Sequence, residues 1–271
     1  GVRFQQPVTL AAGETRSVCF APGVFPQLNL KHPRLWWPNG YGKPELYHLH
    51  LSFVTADKQV SDEHSSRFGV REMSYELQVK LPEGGHERVE FRPTLARGSS
   101  QPVIDNRRDT MLWGQENKAK RALAAGPGYK APTTPFWWGQ GQETTVGLWP
   151  GEEHSPALRV LNDSAMGPFL VVKVNGQKIE CLGGNWGMDD AMKRISRARL
   201  EPYVRLHRDA HLTMIRHWAG QSTSKVFYDL CDEYGLLVWN DFWLNTEGWN
   251  YNPEDNDLFL RFRHVMMERT Q

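Results

Sequence analysis

Three short segments in the second half of the chain combine indole rings with amide, guanidinium and carboxylate groups: Asn185-Trp186, Arg216-His217-Trp218 and Asn240-Asp241-Phe242-Trp243. That mixture suits a neutral sugar. The C–H face of a pyranose stacks on an aromatic ring, while its hydroxyls need directional donors and acceptors. The candidate binding residues are therefore Asn185, Trp186, Arg216, Trp218, Asp241 and Trp243. Tryptophan and asparagine at strand ends also serve as packing and capping residues, and the sequence by itself leaves both roles open.

Other constellations point away from chemistry. His207 and His211 stand four apart, a helical spacing that can ligate zinc, but Arg208 follows the first histidine where a metalloprotease has glutamate. We expect no metal there. The run Asn250-Tyr251-Asn252-Pro253-Glu254-Asp255-Asn256-Asp257 lacks the ligand order and central glycine of an EF-hand and reads as a helix cap around Asn256. Asp232-Glu233 reads as solvated charge on the outer face of a helix. Neither a glycine-rich phosphate loop nor a Gly-x-Ser-x-Gly elbow occurs, and no cofactor is expected. Cys19, Cys181 and Cys231 are too few and too scattered for a disulfide framework or a zinc site, and read as buried free thiols.

The elements that would position the three segments are legible from Phe169 onward. Phe169 to Val174 is strand-like, Asn175-Gly176 is a type I′ hairpin signal, and Lys178 to Leu182 is a second short strand running into Gly183-Gly184-Asn185-Trp186. Leu200, Tyr203, Val204 and His207 follow helical spacing, with Pro202 tolerable only near a first turn. Leu212 to Trp218 is the next strand, and Ser222 or Thr223 can cap the helix that follows. That helix places Val226, Phe227, Leu230, Cys231 and Tyr234 on one face and ends at Gly235, where a left-handed residue is wanted. Leu236 to Trp239 is a continuous apolar run, as expected of a parallel strand covered on both sides, and Leu258, Phe259, Phe262, Val265 and Met266 mark a last helix. Alternating strands and helices predict a parallel sheet whose ligand lies beyond the strand C-termini. An eight-unit barrel takes about 250 residues, or roughly 30 per unit, so the stretch after Phe169 holds three units.

The first 75 residues read differently. Glu45 to Val54 alternates, with Tyr47, Leu49, Leu51 and Phe53 on one face and His48, His50 and Ser52 on the other, which predicts a half-buried strand. Turn residues precede it at Pro38-Asn39-Gly40 and Gly42-Lys43-Pro44, and short strands broken by such turns suggest a sandwich. From 76 to 168 the periodicity fades and Gly and Pro become dense around Trp113, Trp137, Trp138 and Trp149. We expect an insertion there that packs its indoles against a neighbouring surface.

Charge narrows the class further. The 32 basic and 31 acidic side chains nearly cancel, so bulk electrostatics call for neither nucleic acid nor an anionic membrane. No apolar run reaches the ~18 residues that would span a bilayer. The chain starts at Gly1 rather than methionine and lacks signal-peptide regions there, so we expect an excised or incomplete chain whose compartment its start does not reveal.

Several phrases together resemble glycoside hydrolase family 2, particularly its β-mannosidase and exo-β-glucosaminidase branches. These are His32-Pro33-Arg34-Leu35-Trp36-Trp37-Pro38-Asn39-Gly40-Tyr41-Gly42, then Pro44-Glu45-Leu46-Tyr47, then Arg67-Phe68-Gly69-Val70-Arg71-Glu72. Val174-Asn175-Gly176, Gly183-Gly184-Asn185-Trp186, Met214-Ile215-Arg216 and Tyr234-Gly235-Leu236-Leu237-Val238-Trp239-Asn240-Asp241-Phe242 follow in order. The resemblance implies a partial immunoglobulin-like β-sandwich at 1–75, the Gly/Pro/Trp-rich insertion at 76–168, and the first three βα units of an incomplete (β/α)8 TIM barrel at 169–271. It implies a retaining β-glycosidase of the β-mannoside, β-glucosaminide or β-galactoside class, in which one glutamate is acid/base and a second the nucleophile, about 5 to 5.5 Å apart. Both glutamates are expected outside these residues, so no catalytic residue is assigned here and the chain alone should be inactive. The expected partners are a carbohydrate substrate and the remainder of the parent polypeptide, in a periplasmic or secreted setting. His217 stands where the resemblance leads us to expect asparagine, and His211 where a helix-ending glycine is usual. A different class of reading is a non-catalytic carbohydrate-binding module using the insertion tryptophans, and a third is a truncated product exposing an open sheet edge.

Overall fold

The structure is a computed structural model and describes residues 1–81, 84–96, 102–105, 146–149, 151–162, 170–187, 192, 194–218 and 224–241. Two compact units are present, 1–34 and 35–271. The first holds a 3-10 turn at Pro26–Leu28 and a trio of rings, with Phe4 centred 5.3 Å from Phe20 and 4.8 Å from Phe25.

In the second unit, β1 (Tyr47–Val54) and β2 (Val60–Phe68) form an antiparallel hairpin. The predicted alternation is present, but its apolar face is not covered: Leu49, Leu51 and Phe53 are 38%, 41% and 49% exposed. Their cross-strand partners are Ser66, His64 and Asp62, so the hairpin supplies no apolar layer of its own to bury them.

The next strands are β3 (Met73–Lys80), β4 (His86–Phe91), β5 (Ile104–Asp105), β6 (Val146–Leu148), β7 (Leu158–Val160), β8 (Leu170–Val174) and β9 (Gln177–Ile179). Together they make one sheet, in which β3 pairs antiparallel with both β4 and β8. This corrects the expected boundaries. Strands from 76–168 pair directly with strands on either side, and β8, expected in the barrel, closes onto β3 instead. The Asn175-Gly176 turn joins β8 to β9 with φ values of 51° and 81°, the doubly positive geometry of the type I′ turn read from the sequence.

One face of this sheet is polar and buried. Ser74 and Glu76 of β3, Glu90 of β4 and Lys173 of β8 lie beneath the surface, with Glu76 directly opposite Glu90. Two carboxylates in that position repel unless cations intervene. Lys173 Nζ sits 2.7 Å from Glu90 and 3.7 Å from Glu76, while Arg88 donates to Glu76 at 3.1 Å and Arg159 Nε to Glu90 at 3.0 Å.

The last described elements alternate: β10 (Gly183–Trp186), α1 (Arg197–Asp209), β11 (Met214–His217), α2 (Lys225–Tyr234) and β12 (Leu237–Asn240). The three strands are parallel in the order β10-β11-β12. Gly183 permits the first pairing, because a Cβ there would lie 2.0 Å from the Met214 carbonyl oxygen. The helix starts differ from expectation. α1 begins five residues before Pro202, which therefore sits inside the helix and removes one internal N–H donor. Ser224, rather than Ser222 or Thr223, caps α2, its hydroxyl accepting from the Phe227 N–H at 3.2 Å.

The helix ends follow the sequence more closely. Gly235 takes φ 72° after α2, and Phe227, Leu230 and Cys231 are buried on the predicted face. His211 takes φ 60° after α1, where Leu212 N–H reaches His207 O and His211 N–H reaches Arg208 O, a Schellman cap built on a non-glycine residue. Trp186, Leu200, Val204, Ile215, Phe227, Leu230, Cys231 and Leu236 form the core between sheet and helices. Only Cys231 of the three cysteines is buried; Cys19 and Cys181 are exposed, against expectation.

The loop from Trp36 to Gly42 clamps this βα array from below. Asn39 Nδ2 donates to the carbonyls of Arg208 at 2.9 Å and Leu212 at 3.0 Å, and Asn39 N–H donates to Gly235 O at 2.7 Å. Trp36 fills a second core with Val174, Ile179 and Leu237. These are the carbonyl ends of both helices, which face the strand N-termini. The clamp thus holds the end of the array opposite to the strand C-termini.

Candidate functional site

Register decides which side chains share a face. Trp186, His217 and Asn240 are aligned across the three parallel strands, and so are Asn185, Arg216 and Trp239 one residue earlier. Alternation sends these two rows to opposite faces. Trp186 belongs to the helix-side core, 5.3 Å from Phe227 and 6.2 Å from Tyr203 between ring centroids. The row Asn185, Arg216, Trp239 therefore faces away from the helices, on the side that carries Met214 and Leu237.

On that second face Arg216 and Asp241 are brought together. Arg216 Nη2 lies 2.8 Å from Asp241 Oδ2 and Nε lies 3.2 Å from Oδ1, a two-pronged contact that fixes the plane of the guanidinium. The Arg216 side chain is 43% exposed while that of Asp241 is 8% exposed, so the carboxylate anchors and the guanidinium still meets solvent. Trp239, aligned with Arg216, is exposed, as is Trp218 two residues after Arg216, and Asn185 is exposed at the end of β10. These groups can offer stacking faces and directional hydrogen bonds together.

Trp186 does not join them. At 8% exposure, packed against Phe227 and Tyr203, it is a core residue and has no open face for a sugar. Trp243 and the insertion residues Trp113, Trp137 and Trp138 lie outside the described residues, as does the run 250–257. Trp149 is half-buried, its N–H bonded to Val103 O at 3.0 Å.

The sequence missed Trp239. It lies in an apolar run that reads as buried on both sides, yet it is 52% exposed. Its alignment with Arg216 was the available signal, and alignment between strands requires the register. Asp232 is exposed, as its place on the outer face of a helix suggests. It lines a cavity of about 1170 Å³ along β12, with Arg71, Tyr75, Tyr228, Trp239 and Asn240. Desolvation raises the Asp232 carboxyl above its ordinary range, with Arg71 pulling the other way. Glu233 binds Arg197 and Arg67, and these partners lower its carboxyl against the opposing effect of burial.

His217 is fully buried on the helix side, 5.5 Å from the Phe227 ring, with Nδ1 2.7 Å from Asn240 Oδ1. Burial pushes its imidazole pKa down, against the opposing effects of Asn240 and Asp241. His207 Nδ1 meets the Tyr203 carbonyl at 2.8 Å, and among the described residues no cluster of three or more His, Cys, Asp or Glu side chains could hold a metal ion.

Comparison with known proteins adds the lineage. A sequence model described as "Glycosyl hydrolases family 2" matches residues 3–71. Beta-mannosidase B of Aspergillus clavatus is 36% identical over 216 residues, covering 79% of this chain and 16% of that protein. The chain belongs to glycosyl hydrolases family 2. Exo-beta-D-glucosaminidase of Streptomyces avermitilis is 43% identical over 74 residues, or 27% of this chain and 8% of that protein. Mannosylglycoprotein endo-beta-mannosidase of Lilium longiflorum is 24% identical over 225 residues, or 83% of this chain and 15% of that protein. The chain spans less than a fifth of the length of each of these relatives. Within this family 2 chain, the matched segment includes the Trp36–Gly42 clamp, which grips the helix ends and lies away from the strand-end groups.

Proposed function

We propose that the chain forms one wall of the saccharide cleft of a retaining β-glycosidase of the β-mannoside, β-glucosaminide or β-galactoside class. The observation that carries this reading is the solvent-facing row at the parallel strand ends: Asn185, Arg216 and Trp239, extended by Trp218 and by Asp241 behind Arg216. The named activities of the relatives, on mannosides and glucosaminides, support the substrate class. In this reading the parallel sheet opens a (β/α)8 barrel at Gly183, the antiparallel strands belong to an immunoglobulin-like sandwich, and Trp243 continues the wall.

The wall orients; it does not cleave. Retention needs two carboxyl groups about 5 to 5.5 Å apart flanking the anomeric carbon, and we assign neither to residues of this chain. Arg216, held by Asp241, would donate to sugar hydroxyls, while Trp218 and Trp239 would stack on the C–H face. Residues 1–271 alone should leave nitrophenyl β-mannoside, β-glucosaminide and β-galactoside intact.

Isothermal titration of the chain with mannobiose and glucosamine disaccharide tests the reading. Weak binding is expected, reduced ~2–10-fold by Trp239→Ala and unchanged by substitutions in the β1–β2 hairpin. Equal binding by wild type and Trp239→Ala would refute the wall. Turnover abolished by replacing one of the chain's own acids would refute the purely orienting role.

A further inference from the structure

We infer that buried His217 and half-buried Asn240 and Tyr228 form a positioning triad that fixes the Arg216–Asp241 pair from behind the sheet. This rests on the saccharide-wall reading for its purpose, although its geometry stands apart from it. The three side chains come from three different elements, β11, β12 and α2, and converge on one atom. Asn240 Oδ1 lies 2.7 Å from His217 Nδ1 and accepts from the Tyr228 hydroxyl at 3.0 Å. Among the described residues Asn240 Nδ2 is buried with no hydrogen-bond partner, and the two contacts at Oδ1 orient the amide.

The link to the wall runs through the backbone. Asn240 immediately precedes Asp241, and Asp241 N–H donates to the carbonyl of His217 at 3.2 Å. His217 likewise follows Arg216. The triad therefore ties together the two residues that carry the guanidinium and its anchoring carboxylate, each from the adjacent chain position. Rotation of Asn240 would release the end of β12 and, with it, the two-pronged contact of Asp241 on Arg216. These are positioning residues, since none of the three lies on the solvent-facing row.

The arrangement has a chemical signature. Because Tyr228 donates to Oδ1, His217 meets the same oxygen as a donor, and this requires the proton on Nδ1. Burial disfavours the charged ring, so the imidazole is neutral with Nε2 unprotonated. That is a spectroscopically distinct tautomer, and packing alone against Phe227 or Tyr228 would not select it.

Long-range 15N–1H NMR of the His217 ring, together with the Arg216 Nε–H resonance, tests the triad in the full chain. Wild type should show a neutral ring protonated at Nδ1. Tyr228→Phe removes one O–H while keeping the ring, and should melt cooperatively, shift the Arg216 Nε–H resonance and weaken mannobiose binding ~2–10-fold. A ring protonated at Nε2, an imidazolium at neutral pH, or an unmoved Arg216 resonance in Tyr228→Phe would overturn the inference. If wild type binds no saccharide, the wall reading fails, while the tautomer and the Arg216 resonance still decide the triad.

Discussion

Trp36 and Asp232 are joined across 196 residues: the indole Nε1 donates to the Asp232 backbone carbonyl at 2.8 Å. Asn39, three residues on, reaches the end of the other helix. A loop far away in sequence therefore caps both helices of the parallel array, satisfying carbonyls that a helix end leaves open. Asn39→Ala should lose both side-chain bonds and cost about 1–3 kcal/mol in urea unfolding, and Trp36→Phe should cost a similar amount through the lost indole bond and volume. Unchanged midpoints would show that the clamp is decorative.

The two helix ends predict opposite responses to substitution. His211 holds φ 60°, a conformation that costs a non-glycine residue about 1–2 kcal/mol, so His211→Gly should stabilise by up to about 1 kcal/mol after the entropy of the freer unfolded chain is subtracted. Gly235→Ala should destabilise by about 1–3 kcal/mol, because φ is 72° and the new Cβ would lie 3.0 Å from Asn39 N. Thermal melts of the two variants should move in opposite directions.

Gly183→Ala is a harsher change. A Cβ placed 2.0 Å from the Met214 carbonyl oxygen must push β10 off β11, since the obstructing atom is backbone. Loss of cooperative unfolding, read by circular dichroism, is the expected result. Native-like melting would mean that the strands can separate without cost.

Glu90 makes stability depend on acid pH. Burial raises its carboxyl, but Lys173, Arg159 and Ser74 outweigh this and hold it at about 2, below the ordinary 4.5. The folded state therefore binds its proton less readily than the unfolded chain. The associated stability is present above about pH 4.5 and drains away as pH falls toward 2, on the order of 1–2 kcal/mol after discounting for the exposed Arg159. Glu90→Gln should flatten this part of the pH profile in urea midpoints measured from pH 6 to pH 2.

Much of the local structure was legible because its signals are local. Asn175-Gly176 fixes a turn by its own backbone preferences, Gly235 ends a helix by its left-handed φ, and the face Phe227, Leu230, Cys231 repeats at helical spacing. Pro202 misled, because its missing N–H suggested a place near the first turn, whereas α1 begins at Arg197 and carries Pro202 inside it. Trp186 reads as a binding residue and Trp239 as part of a covered strand, while the structure buries the first and exposes the second, for a different reason. A parallel strand covered on both faces has no apolar period, so sequence alone does not say which indole turns toward the helices. Pairing with β11 decides it, and pairing is a long-range property. The same holds for 76–168, whose strands find partners only through β3 and β8.

The central claim is that the face of the parallel strands turned away from the helices meets sugar. An NMR titration of the 15N-labelled chain with manno-, glucosamine- and galacto-disaccharides, following each indole Nε1–H, tests it most directly. The account predicts that Trp218 and Trp239 shift with saccharide while Trp186 stays still. Movement of Trp186 alone, or no indole movement at saturating sugar, would contradict it.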